Sequence, residues 1–265
     1  MSATPSIRVH DAVVIGGGCY GSYHARQLIR AAKRGAFEFR QLIIVDRASD
    51  CAARLEFGGH TDVRFVVRDW VDFVDDYLGV APVDSLDVMV PTPIGPHLMF
   101  EWLKRRATRL AGARKVSLSA LPETPYTARS DDGTGYLSFA TWTCPVTCIE
   151  PAICPVTRGP KAWEMDEAVF SFARGEAGSG RPFDDVQVFR CRPLAFGISA
   201  WPTSQAVAAR ERLDLLMGGT TRAQRSCRVL VATTSSCHGV VDLLEFSGLP
   251  GGSTSSQGPN SRRLK

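Results

Sequence analysis

The stretch that most constrains this chain runs from Asp11 to Asp46. It opens with Asp11-Ala12-Val13-Val14-Ile15-Gly16-Gly17-Gly18-Cys19-Tyr20-Gly21 and closes with Leu42-Ile43-Ile44-Val45-Asp46. The apolar runs at its two ends read as buried strands. Between them Ala25, Leu28, Ile29 and Ala32 recur at the i, i+3, i+4, i+7 spacing of a helix's inner face. Gly16, Gly18 and Gly21 stand at glycine-x-glycine-x-x-glycine spacing: the first permits a tight turn, the second lets the backbone approach a phosphate, and the third lets the helix pack closely. The start of a helix also favours an anion, through its unpaired N–H groups and its dipole. Asp46, at the tip of the second strand, is placed to accept hydrogen bonds from ribose hydroxyls, whereas Arg47 is the residue type that accommodates a 2′-phosphate. Dinucleotide contacts are therefore expected from Gly16, Gly18, Cys19, Tyr20, Gly21, Asp46 and Arg47, with NAD preferred and NADP the alternative. A structural glycine turn with no ligand is the plainer explanation. A methyl transferase also uses a glycine turn and a ribose acid, but this turn running straight into a helix fits it less well.

Downstream, strand and helix patterns alternate. Val63 to Val67 reads as a strand. Asp69 is placed to cap a helix with Trp70, Phe73, Val74 and Tyr77 on one face and Asp72 in its first turn. Ser85 to Val90 is a further strand, His97 opens a helix, and Lys115 to Leu121 reads as a fifth strand. After an irregular stretch the pattern resumes. Asp185 to Cys191 and Arg228 to Thr234 read as parallel strands extending the same sheet, joined by a helix that Thr203 caps and Gly218-Gly219 ends. A short helix is expected to reach Leu244, and residues 247–265 read as a disordered tail. The expected fold is thus α/β: a Rossmann-like, doubly wound, mostly parallel sheet over residues 1–246, with an irregular cysteine-bearing insertion at 123–183.

Residues 12–122 resemble the cofactor-binding half of the Gfo/Idh/MocA oxidoreductases, within the NAD(P)-binding Rossmann superfamily. The resemblance rests on the turn at Gly16 to Gly21, on Asp46, and on Pro91-Thr92-Pro93 followed by His97. It implies that Pro91, Thr92 and Pro93 lie against the cofactor, with His97 beside the nicotinamide position. The chain departs from that group at Ala120-Leu121-Pro122, where the group carries Glu-Lys-Pro. The resemblance therefore implies cofactor binding and leaves the group's sugar-type dehydrogenase activity behind.

A second feature is Cys144-Pro145-Val146-Thr147-Cys148 and Cys154-Pro155-Val156-Thr157, in which Cys-Pro-Val-Thr occurs twice. Proline-stiffened turns present thiols at low entropic cost. Cys144, Cys148 and Cys154, completed by Cys191, Cys237 or His238, are candidate ligands of an iron–sulfur cluster or of zinc. The spacing matches neither a familiar zinc ribbon nor a ferredoxin. Buried inert thiols and redox pairing stay open beside the metal reading. Trp142 and Trp163 flank the segment. His97 and His238 are the candidate proton donors.

The net charge of +4 is small, and the basic residues are scattered rather than striped, so nucleic acid is not an expected partner. No apolar run approaches the length of a membrane span, and the first ten residues lack a secretory pattern. A cytoplasmic protein is expected, with a dinucleotide and a small-molecule substrate as partners and a homo-oligomer left open. These features point to an NAD(P)-binding oxidoreductase or electron-transfer protein. The alternative is an NAD(H)-binding sensor that does not turn the cofactor over.

Overall fold

The computed structural model describes residues 7–91, 97–142, 144–145, 148–223 and 225–247. In chain order, its first half consists of β1 (Ile7–Arg8), β2 (Asp11–Ile15), α1 (Cys19–Lys33), β3 (Phe37–Glu38), β4 (Gln41–Asp46), α2 (Ala52–Phe57), β5 (Val63–Val67), α3 (Trp70–Val80), β6 (Val88–Val90) and α4 (Leu98–Ala111). The second half adds β7 (Arg114–Val116), β8 (Tyr126–Arg129), β9 (Gly135–Ser138), α5 (Met165–Gly178), β10 (Asp185–Arg190), β11 (Arg192–Ala195), β12 (Ile198–Pro202), α6 (Thr203–Ala223), β13 (Ser226–Thr234) and β14 (His238–Ser247).

The protein is mixed α/β, and its strands form two large sheets rather than one, beside a small β1–β3 pair. The first sheet has the order β11-β12-β6-β2-β4-β5. Its β6, β2, β4 and β5 are parallel neighbours, and β12 and β11 close one edge antiparallel. The second sheet has the order β10-β13-β14-β9-β8, with β7 also pairing β14; only β10 and β13 run parallel.

Period-two side-chain placement explains the layering. Val13, Ile15, Ile43 and Val45 face α3 and α4, whereas Ala12, Val14, Leu42 and Ile44 face α1 and α2. The core that includes α4 and α6 also takes in Val229, Val231, Leu244 and Phe246, so those helices lie between the two sheets. On the far side of the second sheet, Leu230, Ala232, Val241 and Leu243 pack against Met165 and Val169 of α5.

Several expectations need correction. The fifth strand shortens to β7, which pairs with β14 and not with the first sheet. β10 and β13 are parallel to each other as expected, yet they build the second sheet instead of extending the first. The fifth place beside β6 is taken by β12, running antiparallel. The stretch after His238 is the long strand β14, not a helix, because its apolar residues have β13 as a full-length partner. Gly218-Gly219 lies inside α6 and does not end it. The Thr203 hydroxyl donates to the Asp87 carbonyl oxygen at 3.3 Å, tying α6 to the chain entering β6. Ser247 closes β14, and the remainder of the expected tail lies outside the described residues.

Candidate functional site

The three glycines of the turn stand in three different surroundings. Gly16 has φ +88°, a left-handed conformation that side chains disfavour. A Cβ on Gly21 would lie 1.8 Å from the Gly16 carbonyl oxygen, so α1 can approach the turn only without one. A Cβ on Gly18 would meet nothing within 4 Å. Gly18 is the N-cap of α1, and this helix start has neither a side-chain cap nor an acid in its first turn. The Cβ direction of Gly18 is thus open, at a helix start whose first N–H groups have no side-chain cap.

Asp46 sits beside this turn. Its Oδ2 accepts from the Gly17 N–H at 2.5 Å and its Oδ1 from the Ala48 N–H at 2.8 Å, which fixes the carboxylate at the strand tip. Arg47 points elsewhere. Its Nε donates to Asp69 Oδ2 at 3.0 Å, and its guanidinium lies 5.7 Å from the centre of the Trp70 ring. The same Asp69 caps α3, accepting from the Val71 and Asp72 N–H groups at 2.9 and 3.2 Å. Cys19 is exposed.

Next to the turn, a cavity of about 700 Å³ gathers residues from both halves of the chain. Tyr20 and His24, one turn apart on α1, line one side, with Pro91 and His97 beside them. Thr92 and Pro93 lie outside the described residues. Cys144, Cys148 and Cys154 line the same cavity, as do Cys191, Cys237 and His238. Cys237 and His238 are adjacent, and alternation along an extended chain would send them apart. They occupy the tight β13–β14 turn instead: the Ser235 N–H donates to the His238 carbonyl oxygen at 2.8 Å, and Ser235 Oγ accepts from both Cys237 and His238 N–H groups. His238 Nε2 lies 3.0 Å from the Thr141 carbonyl oxygen, so that nitrogen carries the ring proton.

The sulfurs share a cavity without assembling into a donor set. Among the described residues, no group of three or more His, Cys, Asp or Glu side chains is arranged to hold a metal ion. Burial pushes Cys144 up to about 11 and Cys191 up to about 12, so both are neutral thiols near pH 7. Burial also raises Cys237, against the Trp163 indole N–H that donates to its Sγ at 3.3 Å. Cys154 is shifted down, first by hydrogen bonding from the Thr157 backbone and hydroxyl. The thiol wall is thus mostly neutral and soft.

Four further residues of this cavity carry no motif in the sequence. His24 has its ring pKa lowered by burial to about 4, and its buried Nδ1 has no protein partner. Lys161 brings an amine to the wall, 3.4 Å from Glu164 Oε1. Glu150 holds φ +52° with a buried, unpartnered Oε2. Thr233 stands at the end of β13, hydrogen-bonded to His97. Only the helical spacing of Tyr20 and His24 offered a sequence signal, because a helix start that meets a ligand presents the residue one turn on to the same side.

Fold and site together define a two-sheet α/β protein with an open glycine turn beside a thiol-lined cavity. The chain belongs to the AF_1314_C family, whose model, described as "Uncharacterized protein, C-terminal domain", matches residues 99–247, from α4 to the end of β14. No curated protein matches the chain. Among the described residues, no helix is long and apolar enough to cross a membrane.

Proposed function

We propose that this protein is an NAD(P)-binding oxidoreductase whose β2 to α4 portion is a Rossmann-like, doubly wound unit. The observation that carries the reading is the start of α1: Gly18 faces open space at a helix N-terminus with no cap and no acid, beside a fixed Asp46 carboxylate. Gly16, Gly18 and Gly21 would hold the pyrophosphate and Asp46 the ribose. Arg47, engaged with Asp69, is turned away from a 2′-phosphate, which favours NAD over NADP.

A bound dinucleotide supplies a hydride acceptor or donor; the chain supplies orientation and a water-poor cavity. Tyr20 and His24 lead from the turn into that cavity, and its neutral thiols and Trp201 give an apolar wall. Among the described residues the sulfurs are not arranged to hold a metal or an iron–sulfur cluster, so no step is assigned to one.

The sensor reading is favoured by one observation. Among the described residues Ala120, Leu121 and Pro122 do not line the cavity, so the segment that departs from the resembling group's Glu-Lys-Pro brings no amine to it. Titrating the protein with NADH by fluorescence, in competition with S-adenosylmethionine, tests the main reading: saturable NADH binding resistant to S-adenosylmethionine is expected. Failure to bind any nicotinamide dinucleotide would sink both readings. Steady NADH oxidation with a panel of aldehydes and ketones would exclude the sensor.

A further inference from the structure

His97, the N-cap of α4, is buried at the cavity wall with both ring nitrogens engaged. Nδ1 lies 2.9 Å from Asp242 Oδ2, and Nε2 lies 3.0 Å from Thr233 Oγ1. The other Asp242 oxygen is 2.9 Å from Lys115 Nζ, and Lys115 also reaches Asp132 at 2.7 Å. Strand register explains the arrangement. Asp242 pairs with Val231, so Asp242, Val231 and Thr233 share the sheet face that packs on α4. Asp242 and Thr233 are diagonal neighbours, roughly 7 Å apart, a gap that an imidazole bridges with its two nitrogens.

The proton positions follow from chemistry. A carboxylate accepts from Nδ1–H, and a ring that carries its one hydrogen there leaves Nε2 to accept from the Thr233 hydroxyl. Asp132 and Asp242 hold Lys115 as an ammonium, raising its pKa although burial, the largest single influence, pulls it down. A purely structural tie between α4 and the second sheet would account for His97 and Asp242. It leaves unexplained why the chain ends in a half-buried hydroxyl at the cavity wall.

We propose that Thr233, His97 and Asp242 form a hydroxyl–imidazole–carboxylate proton relay acting on a secondary alcohol, or on the corresponding ketone in reverse. Thr233 Oγ1 takes the substrate hydroxyl proton while passing its own to His97 Nε2. The substrate C–H bond breaks with its electron pair leaving as hydride to the dinucleotide, and the C–O bond becomes a carbonyl. Asp242 stabilises the imidazolium, and Lys115 positions Asp242. Thr233 is the group that meets substrate; His97 and Asp242 act through it. This step rests on the oxidoreductase reading, but the activated hydroxyl can be tested without it.

The probe is an alkyl fluorophosphonate, which reports hydroxyls activated by an imidazole: Thr233 Oγ1 bonds to phosphorus, the P–F bond breaks, fluoride leaves, and the threonine proton goes to His97. Peptide mass spectrometry should place the adduct on Thr233. The near-isosteric Thr233→Val should abolish it, Thr233→Ser should retain it, and Asp242→Asn should slow it by roughly 10²- to 10⁴-fold by spoiling the ring tautomer. NADH affinity, measured in parallel, should stay within about two-fold in the Thr233 variants, as expected for a residue away from the phosphates. An unlabelled Thr233 in wild-type protein that binds NADH overturns the relay and spares the dinucleotide reading. Labelling unaffected in folded Asp242→Asn also overturns it. Labelling at Thr233 in protein that binds no NADH overturns the alcohol-oxidation step together with the dinucleotide reading, and leaves the activated hydroxyl standing.

Discussion

The starts of α1 and α3 are neighbours with opposite designs. α3 is closed by its own residues: Asp69 accepts from two backbone N–H groups, Asp72 lies in the first turn, and Arg47 binds the outer oxygen of Asp69. α1 has a glycine cap and no acid in its first turn. Trp70, the first residue of α3, lies 3.5 Å from where a Gly16 Cβ would stand, so the two starts share one corner of the first sheet. A helix N-terminus leaves orphan N–H groups and partial positive charge that something must satisfy. Where the chain does so itself, the helix is scaffold; where it leaves the site open with room in front, the arrangement suits an anionic ligand.

The largest effect should come from closing the tolerance between turn and helix. Gly21→Ala drives a Cβ into the Gly16 carbonyl oxygen, and should cost about 3 kcal/mol or more of stability, read from urea midpoints. Gly18→Val adds bulk only to open space, so thermal stability should hold while NADH affinity drops by about 100-fold, or ~2.7 kcal/mol. Unchanged affinity in the Gly18 variant would place the ligand elsewhere and erase the contrast between the two helix starts.

His24, one turn beyond Tyr20, gives a pH signature. Its folded pKa lies near 4 against an ordinary 6.5, because burial disfavours the imidazolium. Between those values the unfolded chain takes up a proton that the folded one does not. The neutral ring's contribution is therefore complete above pH 6.5 and is lost as pH falls toward 4, by roughly 2 kcal/mol after allowing for its partly exposed ring. His24→Gln should flatten the stability profile in that window; a profile parallel to wild type would mean that the ring is not buried in neutral form.

The smallest effect should come from opening α3. Asp69→Ala removes the cap at about 1 kcal/mol, a fall in melting temperature of a few degrees. It also frees Arg47, so the preference for NADH over NADPH should narrow by several-fold, on the order of a lost charged hydrogen bond. An unaltered ratio in competition binding would show that Arg47 has no part in the choice.

Much of the first sheet is legible in the chain, because fully buried parallel strands such as Val13-Val14-Ile15 and Leu42-Ile43-Ile44-Val45 are apolar on both faces. The Asp69 cap is equally local. Lys115 to Leu121 and Val240 to Leu244 misled for one reason: apolar periodicity reports that a segment is buried and is silent about its neighbour. Long-range pairing put the first against β14 and made the second a strand. The thiols illustrate the same limit, since their spacing suggested convergence: they line one cavity, and among the described residues they are not arranged as a group that could hold a metal ion.

The sequence by itself determined the glycine turn, the acid at the second strand's tip and the helix that follows, because each depends on contacts within a few dozen residues. Only the tertiary structure decided that α4 and α6 lie between two sheets, and that β12 borders β6. It alone brought His97 between Thr233 and Asp242, residues more than a hundred positions away. Local patterns fix which faces are buried; the partners of those faces follow from packing the whole chain, and there the cavity is made.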